Sequence, residues 1–277
     1  MKILKLFALF ILVVPLYLSA EEPIKNQEDK NMAIDNSTIN NTAVESQPDT
    51  TQQDAIIPAE NTPVDSANPN TVPIITLPVK SFPNSVEGSQ AFVKNMLDLV
   101  YLELPKRNGN QEVFNYLSVV TTEYFAFTYM SKWTIGRDVI KDLPSDLQEK
   151  YLASSKEFMI LLYGEIFNTY YKQYNYSLGE SVRRTDTEYS IKMKVESKVQ
   201  DARNQDAILN VIWKVKYSEK EKKFFVTDVD VNGIVFLTTQ KKQFGDMLNS
   251  TNNDFAKFLE LLDAKNTESK KRLGISM

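Results

Sequence analysis

The sequence predicts an α+β fold in which helices pack on one face of a curved antiparallel sheet. Three observations lead there. Apolar residues recur at three and four from Ser85 to Lys172, the period of a helix. After Gly179 the period falls to two, as in half-buried strands, and beyond Asn232-Gly233 it returns to three and four. Helices first, then a run of strands, then helices again is the order that gathers helices on one side of an antiparallel sheet.

Taken in order, Ser85 caps a helix from Val86 to about Glu103, with Phe92, Met96, Leu99 and Val100 in one stripe, ended by Pro105 and Gly109. A second helix spans about Gln111 to Thr122. The segment Tyr124 to Ile135 is aromatic on nearly every side, which reads as a helix that is fully buried or lines a cavity. Pro144-Ser145 opens the longest helix, Asp146 to about Lys172. Its broad face is Phe158, Leu161, Leu162, Ile166 and Phe167, with ring edges from Tyr163, Tyr170, Tyr171 and Tyr174.

A first strand is expected around Tyr176 to Arg184. In the second, Ile191, Met193, Val195 and Val199 alternate with charged residues, and in the third Leu209, Val211, Trp213, Val215 and Tyr217 form the apolar set. The last strand is Phe224 to Val231, with Phe225, Thr227, Val229 and Val231 assigned to the core side. Asn232-Gly233 supplies free positive φ for a bend before the short apolar run Ile234 to Leu237. Thr238 or Thr239 is the expected cap of a helix from about Gln240 to Asn249, and Ser250 or Asn252 that of a final one carrying Phe255, Phe258, Leu259 and Leu262.

The 277 residues hold no cysteine and no histidine. This excludes Cys-His and Ser-His-Asp nucleophilic chemistry, thiolate and imidazole metal sites, CxxC redox chemistry and a thioether-linked lipid anchor. Residues 1–20 have the three parts of a secretory signal peptide: Lys2 and Lys5, the apolar run Leu6 to Leu18, and Ser19-Ala20 before Glu21-Glu22. Residues 21–85 read as a disordered linker rich in Asn, Thr and Pro, with ten acidic against three basic residues. The net charge of -4 therefore resides in the linker, and the rest is near neutral, which speaks against a nucleic-acid partner. A domain is expected over 86–264, followed by a basic C-terminal tail, 265–277.

A one-sided sheet capped by such apolar helices encloses either a solid core or a pocket, and both need the same residues. An enzymatic reading has one foothold, since Asp228 and Asp230 share a strand face and could act as paired carboxylates. With no histidine, nucleophile or partner cation identifiable nearby, no catalytic and no metal-binding residue is assigned.

The order Asp228, Val229, Gly233, Ile234, Leu237, Lys241 and Phe244, followed by an amphipathic helix ending in Leu261-Leu262, resembles the C-terminal signature of the MlaC (toluene-tolerance, Ttg2) family. Upstream, Phe125, Phe127, Met130, Ile135 and Gly136 resemble that family's aromatic-x-aromatic, methionine, Leu-Gly pattern, and Tyr151, Phe158 and Tyr163 fall where it places aromatics. The resemblance covers roughly Ser89 to Leu262. It implies a monomeric periplasmic protein that binds phospholipid, uses no other cofactor and is not an enzyme. Such a protein passes lipid between an inner-membrane ABC transporter complex and an outer-membrane lipoprotein complex, maintaining outer-membrane asymmetry. On this resemblance the domain encloses an apolar pocket for acyl chains. Its expected walls are Phe127, Met130, Ile135, Phe158, Leu162, Val211, Trp213, Val215, Val229, Val231 and Ile234, with Lys241 and Lys242 at a head-group rim. A ligand-free adaptor bridging envelope partners is the alternative.

Overall fold

The period-two segments pair in sequence order. In the computed structural model, which describes residues 75–78, 80–198 and 208–276, they form one antiparallel sheet. Its strands are β1 (Tyr174–Arg183), β2 (Glu188–Ser197), β3 (Leu209–Ser218), β4 (Lys223–Val231) and the two-residue β5 (Ile234–Val235). The signal segment, most of the acidic linker and Val199 lie outside the described residues, as does the side chain of Tyr170.

The register stacks apolar residues into rows across the sheet. Met193 faces Val211, which faces Val231; Ile191, Trp213 and Val229 make the next row; Tyr189, Val215 and Val226 the third. Such directly opposed β-branched and aromatic pairs are what stabilise neighbouring strands. In the first half of β4 the buried residues are Phe224 and Val226, not Phe225 and Thr227 as the alternation alone suggests. The register shifts between Lys214 and Val215, so Thr227 is an extra residue on β4. One inserted residue inverts the alternation and adds local bend, which returns Val229 and Val231 to the inner face.

The helices are α1 (Val86–Glu103), α2 (Gly109–Tyr124), α3 (Phe127–Ile135), α4 (Arg137–Lys141), α5 (Ser145–Gln173), α6 (Phe236–Ser250) and α7 (Phe255–Leu273). Ser85 caps α1 by accepting from the Gly88 amide at 3.0 Å. The stretch expected as one helix from Tyr124 breaks at Phe125-Ala126, where Phe125 bridges to Val226 and the Ala126 amide donates to the Val226 carbonyl at 2.9 Å. The break sets the Phe125 ring against Phe127, Tyr163 and Trp213, contacts a continuous helix would forgo.

The cap of α6 is supplied by β4 rather than by Thr238 or Thr239. Asp228 is buried, accepts from the Leu237 amide at 3.1 Å and takes Lys214 Nζ at 2.7 Å. The helix therefore starts at Phe236, and Thr239 returns its hydroxyl to the Val235 carbonyl. Likewise Asp254, not Ser250 or Asn252, caps α7, accepting from the Ala256 and Lys257 amides. Residues 265–273, expected as part of a basic tail, are instead the last turns of α7. Lys270 pairs with Glu157 at 2.6 Å, Arg272 pairs with Glu165 at 2.8 Å, and Asn266 is buried against the Ser154 carbonyl. Gly274, at φ 64, closes the helix in the left-handed conformation.

The end of the linker is also part of the fold. Ile75, Leu77 and Phe82 pack on the core, and the Phe82 ring meets Phe92 edge-on at 5.9 Å. A Cβ at Gly88 would stand 1.9 Å from the Pro83 carbonyl oxygen, so glycine is what lets the linker cross the first turn of α1. At the centre, α5 packs against α2, α3 and α7. Its Tyr151 and Ser155 hydroxyls bond to Ser131 on α3, at 2.7 Å to the carbonyl and 2.8 Å to the hydroxyl.

Candidate functional site

At one end of the sheet the helices leave a gap above its inner face. The sheet lines this cavity with Met193, Val195, Leu209, Val211, Trp213, Val229 and Val231. Leu97 and Tyr101 of α1, Tyr163, Ile166 and Phe167 of α5, and Phe236 at the start of α6 close it from above. Its volume is about 70 Å³, and none of these residues carries a charge. Trp213 lies parallel to Phe167 with ring centroids 6.4 Å apart and points its indole N–H at Met193 Sδ, 3.4 Å away. At one edge Tyr101 meets Tyr176 at 4.8 Å, and burial pushes the Tyr101 hydroxyl up to about 12. Tyr163 is deeper: its side chain is buried and its hydroxyl meets no hydrogen-bond partner among the described residues. Burial, and then the charge of Asp228, raise its pKa well above the ordinary value, so it stays protonated.

Of the residues expected to line a pocket, Val211, Trp213, Val229 and Val231 do so together. Phe127, Met130, Ile135, Phe158, Leu162 and Val215 are buried but line other parts of the core. Phe127 stacks on Phe125, and Phe158 meets Phe244 at 5.3 Å in a cluster joining α5 to α6 and α7. Val215 sits in the third row of the sheet, beyond the hollow end. Ile234 is half-buried on β5 opposite Val231. The two lysines expected at a rim are not among the lining residues. Lys241 lies over the Trp133 ring at 5.1 Å, and Lys242 pairs with Asp246 at 2.6 Å.

Leu97, Tyr101, Tyr163, Ile166, Phe167, Met193, Val195, Leu209 and Phe236 were not assigned to the pocket from sequence. The face of β2 was legible from alternation, but which of its residues stands opposite Val211 depends on register. Asp230, the second candidate acid, accepts from the Gly233 amide at 2.7 Å and shapes the β4–β5 turn. Both aspartates thus hold backbone in place. Among the described residues no cluster of acidic side chains suited to a metal ion occurs.

The MlaC family profile, described as "MlaC protein", matches residues 90–264. The chain belongs to the MlaC family. Its fold is that of a phospholipid-binding protein from Ralstonia solanacearum, solved in complex with a phospholipid. The TM-score is 0.54 at 18% identity, over 65% of this chain and 97% of that one. No curated protein matches the chain. The family match runs from the middle of α1's first turns to the middle of α7, so all of the cavity walls fall inside it.

Proposed function

We propose that the protein is a phospholipid carrier: it holds acyl chains in the cavity between β2–β4 and helices α1 and α5, and leaves the head group outside. The observation that carries this reading is a cavity lined without a single charged side chain, between the inner face of the sheet and the helices above it. Each methylene moved from water into such a space contributes ~0.8 kcal/mol, so a chain of about 16 carbons gains on the order of 12 kcal/mol, enough to compete with a bilayer. Membership of the MlaC family and the phospholipid in the Ralstonia protein support the same ligand class.

We extend the proposal to a shuttle in the periplasm, taking lipid between an inner-membrane ABC transporter complex and an outer-membrane lipoprotein complex to keep the outer membrane asymmetric. In this role it acts as a monomer and converts nothing. One observation favours the ligand-free adaptor instead: about 70 Å³ is well below the ~300–1,000 Å³ of small-molecule sites. Under the carrier reading the walls part as the chain enters. Mass spectrometry of the organic extract of the purified protein separates the two: copurifying phospholipid is expected, and an extract without lipid refutes the carrier.

A further inference from the structure

We propose that the Tyr163 hydroxyl is a hydrogen-bond donor kept for the ligand, which takes the ester carbonyl of a bound acyl lipid and so fixes how deep its chain sits. The inference rests on the carrier reading above and names the polar contact within it. Tyr163 lines the cavity, is 3% exposed, and has no hydrogen-bond partner for its hydroxyl among the described residues. Phenylalanine would fill the same space without stripping water from a hydroxyl, so this oxygen lowers the stability of the lipid-free protein.

The ring is not free to swing the hydroxyl into solvent. Phe236 stacks on it at 4.6 Å and Phe125 packs on it at 4.5 Å. Asp228 takes the Val229 and Leu237 amides on Oδ1 and Lys214 Nζ on Oδ2, and no hydrogen bond joins it to Tyr163. An acceptor brought by the ligand would complete the site. Alkyl chains carry none, and a charged phosphate would lose its hydration in a cavity without a cation. The ester carbonyls are the acceptors that sit next to the alkyl chains, neutral and cheap to desolvate. Because the hydroxyl is dehydrated and unpaired before binding, the bond displaces no water from it.

The test compares a diester phosphatidylethanolamine with its diether analogue, identical in chains and head group, and with palmitic acid. Each is titrated into the delipidated full chain and its Y163F variant and read by native mass spectrometry. Wild type should prefer diester over diether by up to about tenfold. Y163F should bind both equally, at the level of wild type with diether, and should melt no lower than wild type. Equal binding of the two lipids by wild type overturns this inference while leaving the carrier reading in place. A Y163F variant that keeps the preference, or that melts lower and loses the diether as well, also overturns it, the latter by showing the hydroxyl to be structural. Loss of palmitic acid binding in Y163F without loss of the diester overturns the ester as the source of the carbonyl. Binding of none of the three by wild type refutes the carrier reading and this inference with it.

Discussion

On the proposed carrier function, replacing Val211 by tryptophan should exclude lipid without unfolding the protein. Val211 stands at the middle of the row between Met193 and Val231, and its side chain forms part of the cavity wall. The indole adds about seven heavy atoms, and overpacking of a filled core costs ~1–3 kcal/mol. Here the cavity of about 70 Å³ accepts part of the ring, so the cost falls near the lower end, ~1 kcal/mol. For a domain of this size that lowers Tm by about 2–4 °C. Val215→Trp is the control. It sits two rows along, between Tyr189 and Val226 in solid core, and should cost the full ~3 kcal/mol or prevent folding. Thermal melts and lipid extraction of both variants supply the assay. A Val211→Trp protein that melts cooperatively and still copurifies with a full complement of phospholipid would refute the placement of the chain against β3.

Other expectations follow from single contacts. Asp228→Ala removes the acceptor of the Leu237 amide and unpairs Lys214, and should cost ~1–2 kcal/mol in urea unfolding, with Asp228→Asn milder and lipid content unchanged. A measurable hydrolytic activity lost in either variant would instead make the aspartate catalytic. Phe82→Ala, or deletion of the linker through Phe82, should lower stability by ~1–2 kcal/mol, because the half-buried ring leaves Phe92 uncovered. Deletion of residues 21–74 alone then serves as the comparison. Stability should be flat from about pH 5 to 9, since the chain has no histidine or cysteine to titrate there. On the acid side, burial raises the Asp98 pKa but the hydrogen bonds from Lys94 and Tyr176 outweigh it, so the net shift is downward. Its stabilisation is present above about pH 4 and lost as pH falls through the folded pKa. On the alkaline side Tyr101 and Tyr116 are pushed up to about 12, chiefly by burial, so stability is full below about pH 10 and lost as pH climbs towards that value. A melting curve with a step between pH 6 and 7 would contradict this.

Much of the fold was legible because its signals are local. The α1 cap at Ser85, the span of α5 and the inner faces of β2 and β3 depend on neighbours a few residues away, and each appears where periodicity and capping put it. The misses depend on distant contacts. The start of α6 is set by Asp228 on β4, and the break before α3 by a bridge from Phe125 to Val226. No pattern around Thr238 or Phe125 encodes those partners. The bulge at Thr227 is a third case: alternation read straight through β4 puts Phe224 outside, although it is fully buried. For the cavity, the sequence marked the right face of β3, with Val211 and Trp213. It did not reveal that Leu97, Tyr101, Tyr163, Ile166, Phe167 and Phe236 are the helical residues above it, because helix-to-sheet placement is not a periodic property.

The position of the hollow follows from side-chain size along the sheet. At one end Phe224 is surrounded by Phe92 at 5.6 Å, Tyr189 at 5.6 Å and Tyr217 at 5.0 Å, and Tyr124 packs on Phe92 at 5.1 Å. These rings pack closely enough to bury Phe224 completely. At the other end the rows hold Val195 opposite Leu209, Met193 opposite Val211 with Val231 beyond it, and Trp213 between Ile191 and Val229, and a gap remains between them and the helices above. Those helices are pinned by the aromatic end and by the hydrogen bonds of Tyr151 and Ser155 to Ser131. On the sheet side the gap is thus bordered by Trp213, by aliphatics and by the unbranched Met193, whose side chain can change rotamer at low cost. On the proposed carrier function, an acyl chain would enter by local yielding around Met193, driven by the burial of its methylenes, without the domain coming apart.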